Sequence, residues 1–447
     1  MTDNSVVIRK FSNTGKGVQS DLQIRPEIND AQDFIREYRQ AAWDTYKSTP
    51  LPTGMEEDWR RTSLSSVRFS DFMQVTGQDD NNIQLPQRLS DPVMGQEKSG
   101  HVFLTPLQSK VNLNDELRCK GVIFDSLKDL IKTNPELVAR VLSRIDPKKS
   151  GKFGALAASL NINGVLLYIP ANVKLDAPLQ STFWAQGEGL VFSQHVLVYL
   201  EDNASAVYVH ESSSPEKAEK DSLHAGIFEI YVGRNSHLDF VELQSWGENI
   251  INMTRENVVI DQDGSVDWIF GALGSRLTKN NSTLNLVGKG STGKMSGFYF
   301  TDNSQHLDHD TQQNHLAPAT TSDLLFKGAL LDHSRSVWQG MIYVAPEAHG
   351  TDGYQANRNL VLSRQARADS IPGLEILTDD VRCTHGATVG KIDEEQVFYL
   401  ESRGMTREIA ERLIVEGFFD PIMQRIPFEG VRNRFQKAIK EKMEHIG

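Results

Sequence analysis

The chain has 447 residues, enough to bury a large core in two or three structural units without covalent staples. Its 59 acidic and 47 basic side chains give a formal net charge of -12 and a pI near 5.5, which supplies no electrostatic footprint for nucleic acid or an anionic membrane and points to protein partners. Two cysteines, Cys119 and Cys383, lie far apart with none of the spacing of a disulfide framework, and this fits a reducing cytoplasmic compartment.

The opening MTDNSVVIRKFSNTG lacks the apolar centre of a secretory signal, and with Asp3 and little arginine it does not read as a transit peptide. No run reaches the roughly 18 apolar residues of a membrane span. Residues 1 to 25 are polar and unpatterned, as in a flexible arm. From Asp30, which can cap, Phe34, Tyr38, Ala42 and Tyr46 recur every four residues with Ile35 and Trp43 beside them; this predicts an amphipathic helix that Pro50 and Pro52 stop. The segment MEEDWRRTSLSS, residues 55 to 66, reads as a helix turn with solvated charges. Thr76 to Gly100 has loop composition. The stretch GVIFDSLKDLIKTNPELVARVLSRI predicts a short strand, a helix capped by Ser126 and a second helix with Pro135 in its first turn. Residues 1 to 150 therefore form an α-rich region.

After Phe153 the helical period gives way to strand-length apolar runs, among them VLLYIP, HVLVYL, GIFEIYV, VDWIFG, GFYF and MIYV. Turn signals separate them, and Asn203, Asn235, Gly264 and Gly290 follow one another at intervals of 32, 29 and 26 residues. That spacing favours a solenoid of stacked short strands over a barrel or sandwich. The segment ESSSPEKAEKDS, residues 211 to 222, lacks apolar residues and predicts a solvated loop. From Thr406 the helical period returns: Ile409, Leu413, Phe418 and Ile422 form one stripe, and Val431, Phe435 and Ile439 a second after Pro427. The division is 1–150, 151–404 and 405–447.

Two clusters resemble catalytic motifs. Gly288 to Met295 nearly matches a phosphate-binding loop, but Met295 cannot supply the metal-binding hydroxyl and SGFYF predicts a strand where that motif requires a helix, so Lys294 is not read as a phosphate ligand. His306, Asp308, His309, Asp310 and His315 place five metal-capable side chains within ten residues, the material of a metal-dependent hydrolase or lyase. In a strand, however, His309 and His315 share one parity and His306, Asp308 and Asp310 the other. A hydrogen-bonded structural role follows.

The most informative stretch is PGLEILTDDVRCTHGATVGKIDEEQVFYLESRG, from Pro372 to Gly404. Leu374 and Ile376 fall on one side of a period-two pattern, and Val381, Cys383 and His385 on one side of another, so thiol and imidazole project together. Gly386 and Gly390 permit tight backbone geometry, and the run Val397 to Leu400 extends the β pattern until Ser402-Arg403-Gly404.

This stretch resembles the C-terminal signature of the SufB/SufD family of iron–sulfur cluster assembly scaffolds, with the fixed positions LEI, DDV, Cys383, the His385-Gly-Ala-Thr run, FYL and SRG. The SufB branch looks different here, with a Glu-His-Glu-Ala type sequence where Thr384, His385, Gly386 and Ala387 stand, so the resemblance points to the SufD branch. It extends in weaker form from about Phe153, through GVLLYIP and the Asp308 to His315 region, and MEEDWRRTSLSS is similar to a box near the start of many SufD-like chains. The resemblance implies a mainly β chain with α segments: a right-handed parallel β-helix core flanked by N-terminal and C-terminal helical regions. It implies a non-catalytic scaffold subunit that pairs with a SufB-like paralogue and is bound by a SufC-type ABC ATPase, with a homodimer as the state of the isolated chain. It also implies that His385, and more weakly Cys383, meets iron or a transient iron–sulfur cluster at the paralogue interface, no cofactor being held tightly by this chain alone. One thiolate and one imidazole do not complete a cluster's ligands, so the partner would supply the rest. A SufB-like, cluster-bearing chain is the alternative within the family, and scarce cysteine argues against it.

Overall fold

The apolar runs after residue 163 form strands that pair not with their sequence neighbours but with the strands two places before and after them. The computed structural model describes residues 21–75, 89, 100–160, 163–426 and 428–444. The arm expected over residues 1 to 25 lies outside them up to residue 20, and the loop expected over 76 to 100 lies outside them apart from Leu89 and Gly100.

The described N-terminal elements are the helix α1 (Asp33–Ser48), short strands β1 (Met73–Gln74), β2 (Gly100–Leu104), β3 (Ser109–Leu113) and β4 (Ile123–Ser126), and helices α2 (Asp115–Cys119), α3 (Leu127–Thr133), α4 (Pro135–Leu142) and α5 (Gly151–Ser159). Ser126 caps α3 through the Asp129 N–H, and Pro135 opens α4, as expected from sequence. Asp30 does not cap α1; its carboxylate pairs with buried Arg39, nearly two turns into the helix. The hairpin of β2 and β3 carries no strong sequence signal and was not anticipated.

Sixteen strands follow. The first sheet stacks β5 (Gly164–Ile169), β7 (Leu190–Leu200), β9 (Ser222–Val232), β11 (Ile250–Ile260), β13 (Leu277–Leu286), β15 (His306–His315), β17 (Arg335–Val344) and β19 (Arg367–Ile376). The second stacks β6 (Leu179–Trp184), β8 (Ser205–Ser213), β10 (His237–Ser245), β12 (Ser265–Ala272), β14 (Thr292–Thr301), β16 (Thr321–Leu330), β18 (Thr351–Val361) and β20 (Val381–Lys391). All pair in parallel, so the chain winds a parallel β-solenoid of about eight turns with helices at both ends. Among the described residues no helix is long and apolar enough to cross a membrane.

Left-handed residues mark one corner of the solenoid: Asn203, Asn235, Asp263, Gly290, Ala319 and Gly350 all have positive φ, and each N–H reaches a carbonyl of the next turn. Asp263 holds this corner position rather than Gly264. Gly264 is needed instead for close approach, since a Cβ there would stand 2.9 Å from the Gly233 carbonyl oxygen. An amide ladder runs up the first sheet, in which Asn257 donates to Glu229, Asn285 to Asn257 and Asn314 to Asn285 at 2.7 to 2.9 Å. Each rung repeats the same polar contact.

Each sheet is clad differently. The N-terminal helices bury Ile35, Ala42, Tyr46, Val138 and Leu156 against Leu197, Ile227 and Met253 of the first sheet. Arg140 and Arg144 lie over the stacked rings of Tyr168, Tyr199 and Tyr231. On the second sheet lie α7 (Arg407–Met423) and α8 (Glu429–Glu444), whose Phe419, Ile422, Val431, Phe435 and Ile439 share a core with Val241, Ile269 and Phe298. The stripe predicted on α7 is divided, Ile422 being buried and Ile409 and Leu413 exposed.

Two readings are corrected. Val397 to Leu400 are not extended but helical, in α6 (Glu394–Ser402), because Asp393 caps the Glu395 N–H and acidic residues fill the first turn. The loop expected over 211 to 222 is shorter, since β8 continues to Ser213 and β9 resumes at Ser222. Lys294, by contrast, lies exposed within strand β14, with no helix after the glycine run.

The ring of Phe435 meets that of Phe298 edge-on at 3.8 Å and is 1% exposed. Phe435→Ala should therefore cost about 3 kcal/mol and release α8 first, measured as a lower melting temperature together with faster proteolysis after Gln424. An unchanged melting temperature would refute this anchoring.

Candidate functional site

Sheet stacking ends at β19 and β20, each of which has a strand neighbour on one side only among the described residues. Unpaired edges of this kind offer N–H and C=O groups to another strand. Ile376, Leu377 and Val389 on this last rung are 37%, 50% and 49% exposed, in contrast to the buried strands below. Among the described residues the terminal rung is the uncovered end of the solenoid.

Parallel register determines which side chains this end presents. Cys383 stacks on Gly353 and His385 on Gln355, both of which face the interior of β18. Thiol and imidazole thus fall on the same side of β20, as the period-two pattern predicts. Cys383 is half-buried beside Ile342, Val344 and Leu374; burial pushes its thiol up, opposed by the Gly353 N–H. His385 is exposed. Beneath it Gln355 donates to the Gly373 carbonyl at 2.8 Å, tying β18 to the last rung.

One convergence was not legible in the sequence. A Cβ at Gly353 would stand 3.2 Å from Cys383 Sγ and 3.4 Å from His315 Nε2, so the thiol and an imidazole 68 positions away border the same space beside the bare glycine. His315 is held by Thr320 and Ser322, both at 2.8 Å, and burial lowers its pKa to about 4. It is a neutral imidazole at ordinary pH.

The remaining members of the His306 to His315 stretch do not form a catalytic set. His309 points inward between the rings of Phe270, Tyr299 and Phe326, while His306, Asp308 and Asp310 point outward. There they meet the segment 55 to 66, which is no simple solvated turn. Its Thr62 hydroxyl bonds both His306 and Asp308, and the Asp58 carbonyl accepts from Lys279 at 2.6 Å. Lys279, 1% exposed at its side chain, stands 3.0 Å from Asp308 and 2.6 Å from Asp310. Burial raises Asp308 to about 7 although Lys279 pulls it down. The cluster straps the N-terminal region to the outer face of the first sheet. Among the described residues no three His, Cys, Asp or Glu side chains are grouped to hold a metal ion.

Comparison with known proteins gives a consistent pattern. The family profile for the core domain described as "SUF system FeS cluster assembly, SufBD core domain" matches residues 183–418, and that of the "SufBD protein N-terminal region" matches 24–181. The chain is 31% identical over 333 residues to an iron-sulfur cluster assembly SufBD family protein of Staphylococcus saprophyticus, covering 74% of this chain and 71% of the relative. Relatives of the same description in Staphylococcus epidermidis and Staphylococcus aureus are 31% and 30% identical over the same length and shares.

Lys279 is the cation between buried Asp308 and half-buried Asp310. Lys279→Met should cost about 3 to 5 kcal/mol, since it leaves them unpaired, and adding Asp310→Asn should recover part of the loss. Because burial raises Asp308 above its ordinary 3.8, its contribution to wild-type stability is full below that value and falls as pH rises through about 7. Chemical unfolding of both variants checks this; a neutral Lys279→Met would refute the strap.

Proposed function

The chain belongs to the SufBD family of iron–sulfur cluster assembly proteins, and from that premise we propose that it is a SufD-type, non-catalytic scaffold subunit working in the cytoplasm. It pairs with a SufB-like paralogue through the open end of the solenoid and is bound by a SufC-type ABC ATPase. Iron or a transient iron–sulfur cluster is its cargo rather than a resident cofactor.

The observation that carries this reading is the terminal rung, where unpaired edges, exposed apolar side chains and the Cys383 and His385 pair lie together. A second chain with a like edge can extend the sheets by main-chain hydrogen bonds, bringing its own ligands to face His385. Neutral imidazole and thiolate are ligands for iron, and two of them leave the set to be completed across the interface. The Thr384-His385-Gly386-Ala387 sequence and only two cysteines favour the SufD-type assignment over a cluster-bearing SufB type. The ATPase is assigned to the exposed apolar side chains of Phe398 and Tyr399 of α6 with Ile409 and Leu413 of α7, which are 70%, 56%, 39% and 39% exposed. The buried faces of α7 and α8 are occupied by the solenoid and are not available for docking.

Co-expression of the chain with SufB-like and SufC-type proteins tests both assignments. Retrieval of neither partner on a tag placed here would sink the scaffold reading. His385→Ala should keep its melting temperature and its paralogue while cluster absorbance of the reconstituted complex falls at least severalfold, with a smaller fall for Cys383→Ser. Unchanged cluster formation would remove His385 from the site, and a joint loss of melting temperature and pairing would make it structural. Phe398→Ser with Ile409→Ser should weaken ATPase retention at least tenfold and leave the paralogue bound; full retention would overturn the docking assignment.

A further inference from the structure

We infer that Glu242 and Glu256, which meet inside the solenoid, hold a single proton between them and form a buried acid pair. Glu242 lies on the inward face of β10 and Glu256 on the inward face of β11, so they approach from the two sheets. They are 5% and 1% exposed and contact each other through their carboxyl groups.

The surroundings assign the proton. Both oxygens of Glu256 already accept hydrogen bonds, Oε1 from the Asn280 amide at 2.8 Å and Oε2 from the Ser282 hydroxyl at 2.6 Å, as an ionised carboxylate requires. Glu242 Oε2 accepts no well-formed hydrogen bond among the described residues, the Trp268 indole being the donor that faces Glu242. Two carboxylates in contact inside a low-dielectric core cannot both be charged, and a proton on Glu242 converts repulsion into an O–H donated to Glu256.

Among the described residues no cation faces the pair to replace that proton. From β8 come Tyr208 and His210, the latter in register with Glu242 and bonded to Ser181 and Gln194. From β9 comes Phe228, in register with Glu256, with His224 further along, and from β12 come Trp268 and Phe270. Burial lowers His210 and His224 to about 3 and about 4, so both imidazoles are neutral. β13 contributes Asn280 and Ser282, and its buried Lys279 points to the opposite face. Burial first, and then the neighbouring carboxylate, raises Glu242 well above 4.5, while burial raises Glu256 to about 7.

Because both carboxyls are raised in the folded chain, their stabilisation is complete below about 4.5 and is lost as pH rises through about 7 and beyond. The middle of the solenoid is thereby sensitive to alkali. The full chain tests this through urea unfolding at about pH 6 and about pH 9. Glu242→Gln, whose amide N–H replaces the acid O–H, should match the wild type near the lower pH and exceed it near the higher one. Its advantage in the unfolding equilibrium should grow by up to tenfold per pH unit above about 4.5 and level off once Glu242 has titrated in the folded chain. Infrared spectra of the wild type at neutral pH should contain a protonated-carboxyl stretch that shifts in D2O and loses intensity in Glu242→Gln, leaving only what Asp308 and Glu229 contribute. A difference between the two proteins that is independent of pH would overturn the inference, as would stabilisation by added Mn2+ of the wild type but not of the variant. If Glu242→Gln does not fold, the wild-type spectrum decides alone, and absence of the carboxyl stretch overturns the pair.

Discussion

Parallel stacking in strict register is the constraint on which every other feature depends. Strand side chains alternate between faces, so a slip of one residue would turn the inward columns outward, and the buried aromatic residues Phe240, Trp268 and Phe326 prevent it. The same register that seats Trp268 on Phe240 seats His385 on Gln355 and Cys383 on Gly353 several turns away. Position along the axis is inherited from rung to rung. Each turn satisfies the main-chain groups of the next until β19 and β20, where no further rung follows among the described residues.

A solenoid pays for its regularity at its ends and outer faces. N-terminal helices cover the first sheet, and α7 and α8 cover the second, each through a stripe matching the strand-face spacing. The Lys279, Asp308 and Asp310 group adds an ionic tie where the segment around Thr62 crosses toward β15 and β17. Among the described residues this cladding leaves the terminal rung uncovered, so Cys383 and His385 lie beside strand edges that have a neighbour on one side only.

The interior is more polar than a solenoid core needs to be. His210 bonds Ser181 and Gln194, Asn252 bonds His224 and Gln244, and Tyr299 bonds Asn359, each spanning strands within a largely apolar column. Satisfied networks of this kind rigidify a core. A buried carboxyl pair inside it has no such neutral solution and must take up a proton instead.

What sequence alone determined were the features that depend on local period and local chemistry. Strand-length runs separated by Asn, Asp and Gly corners marked a stacked solenoid, Ser126 and Pro135 marked helix starts, and alternation placed Cys383 with His385. The opposite parities of His309 and Asp308 were legible for the same reason. Only tertiary structure decided what depends on distant partners. Val397 to Leu400 are helical because Asp393 caps the turn before them, and Asp30 left its capping role for buried Arg39. His315 and Cys383 border one space only because Gly353 leaves it open, and Glu242 meets Glu256 only because two sheets close over a shared axis. A one-dimensional pattern specifies the side of a strand on which a residue lies. The opposing residue is decided by how many turns the chain has made, which is a property of the whole winding.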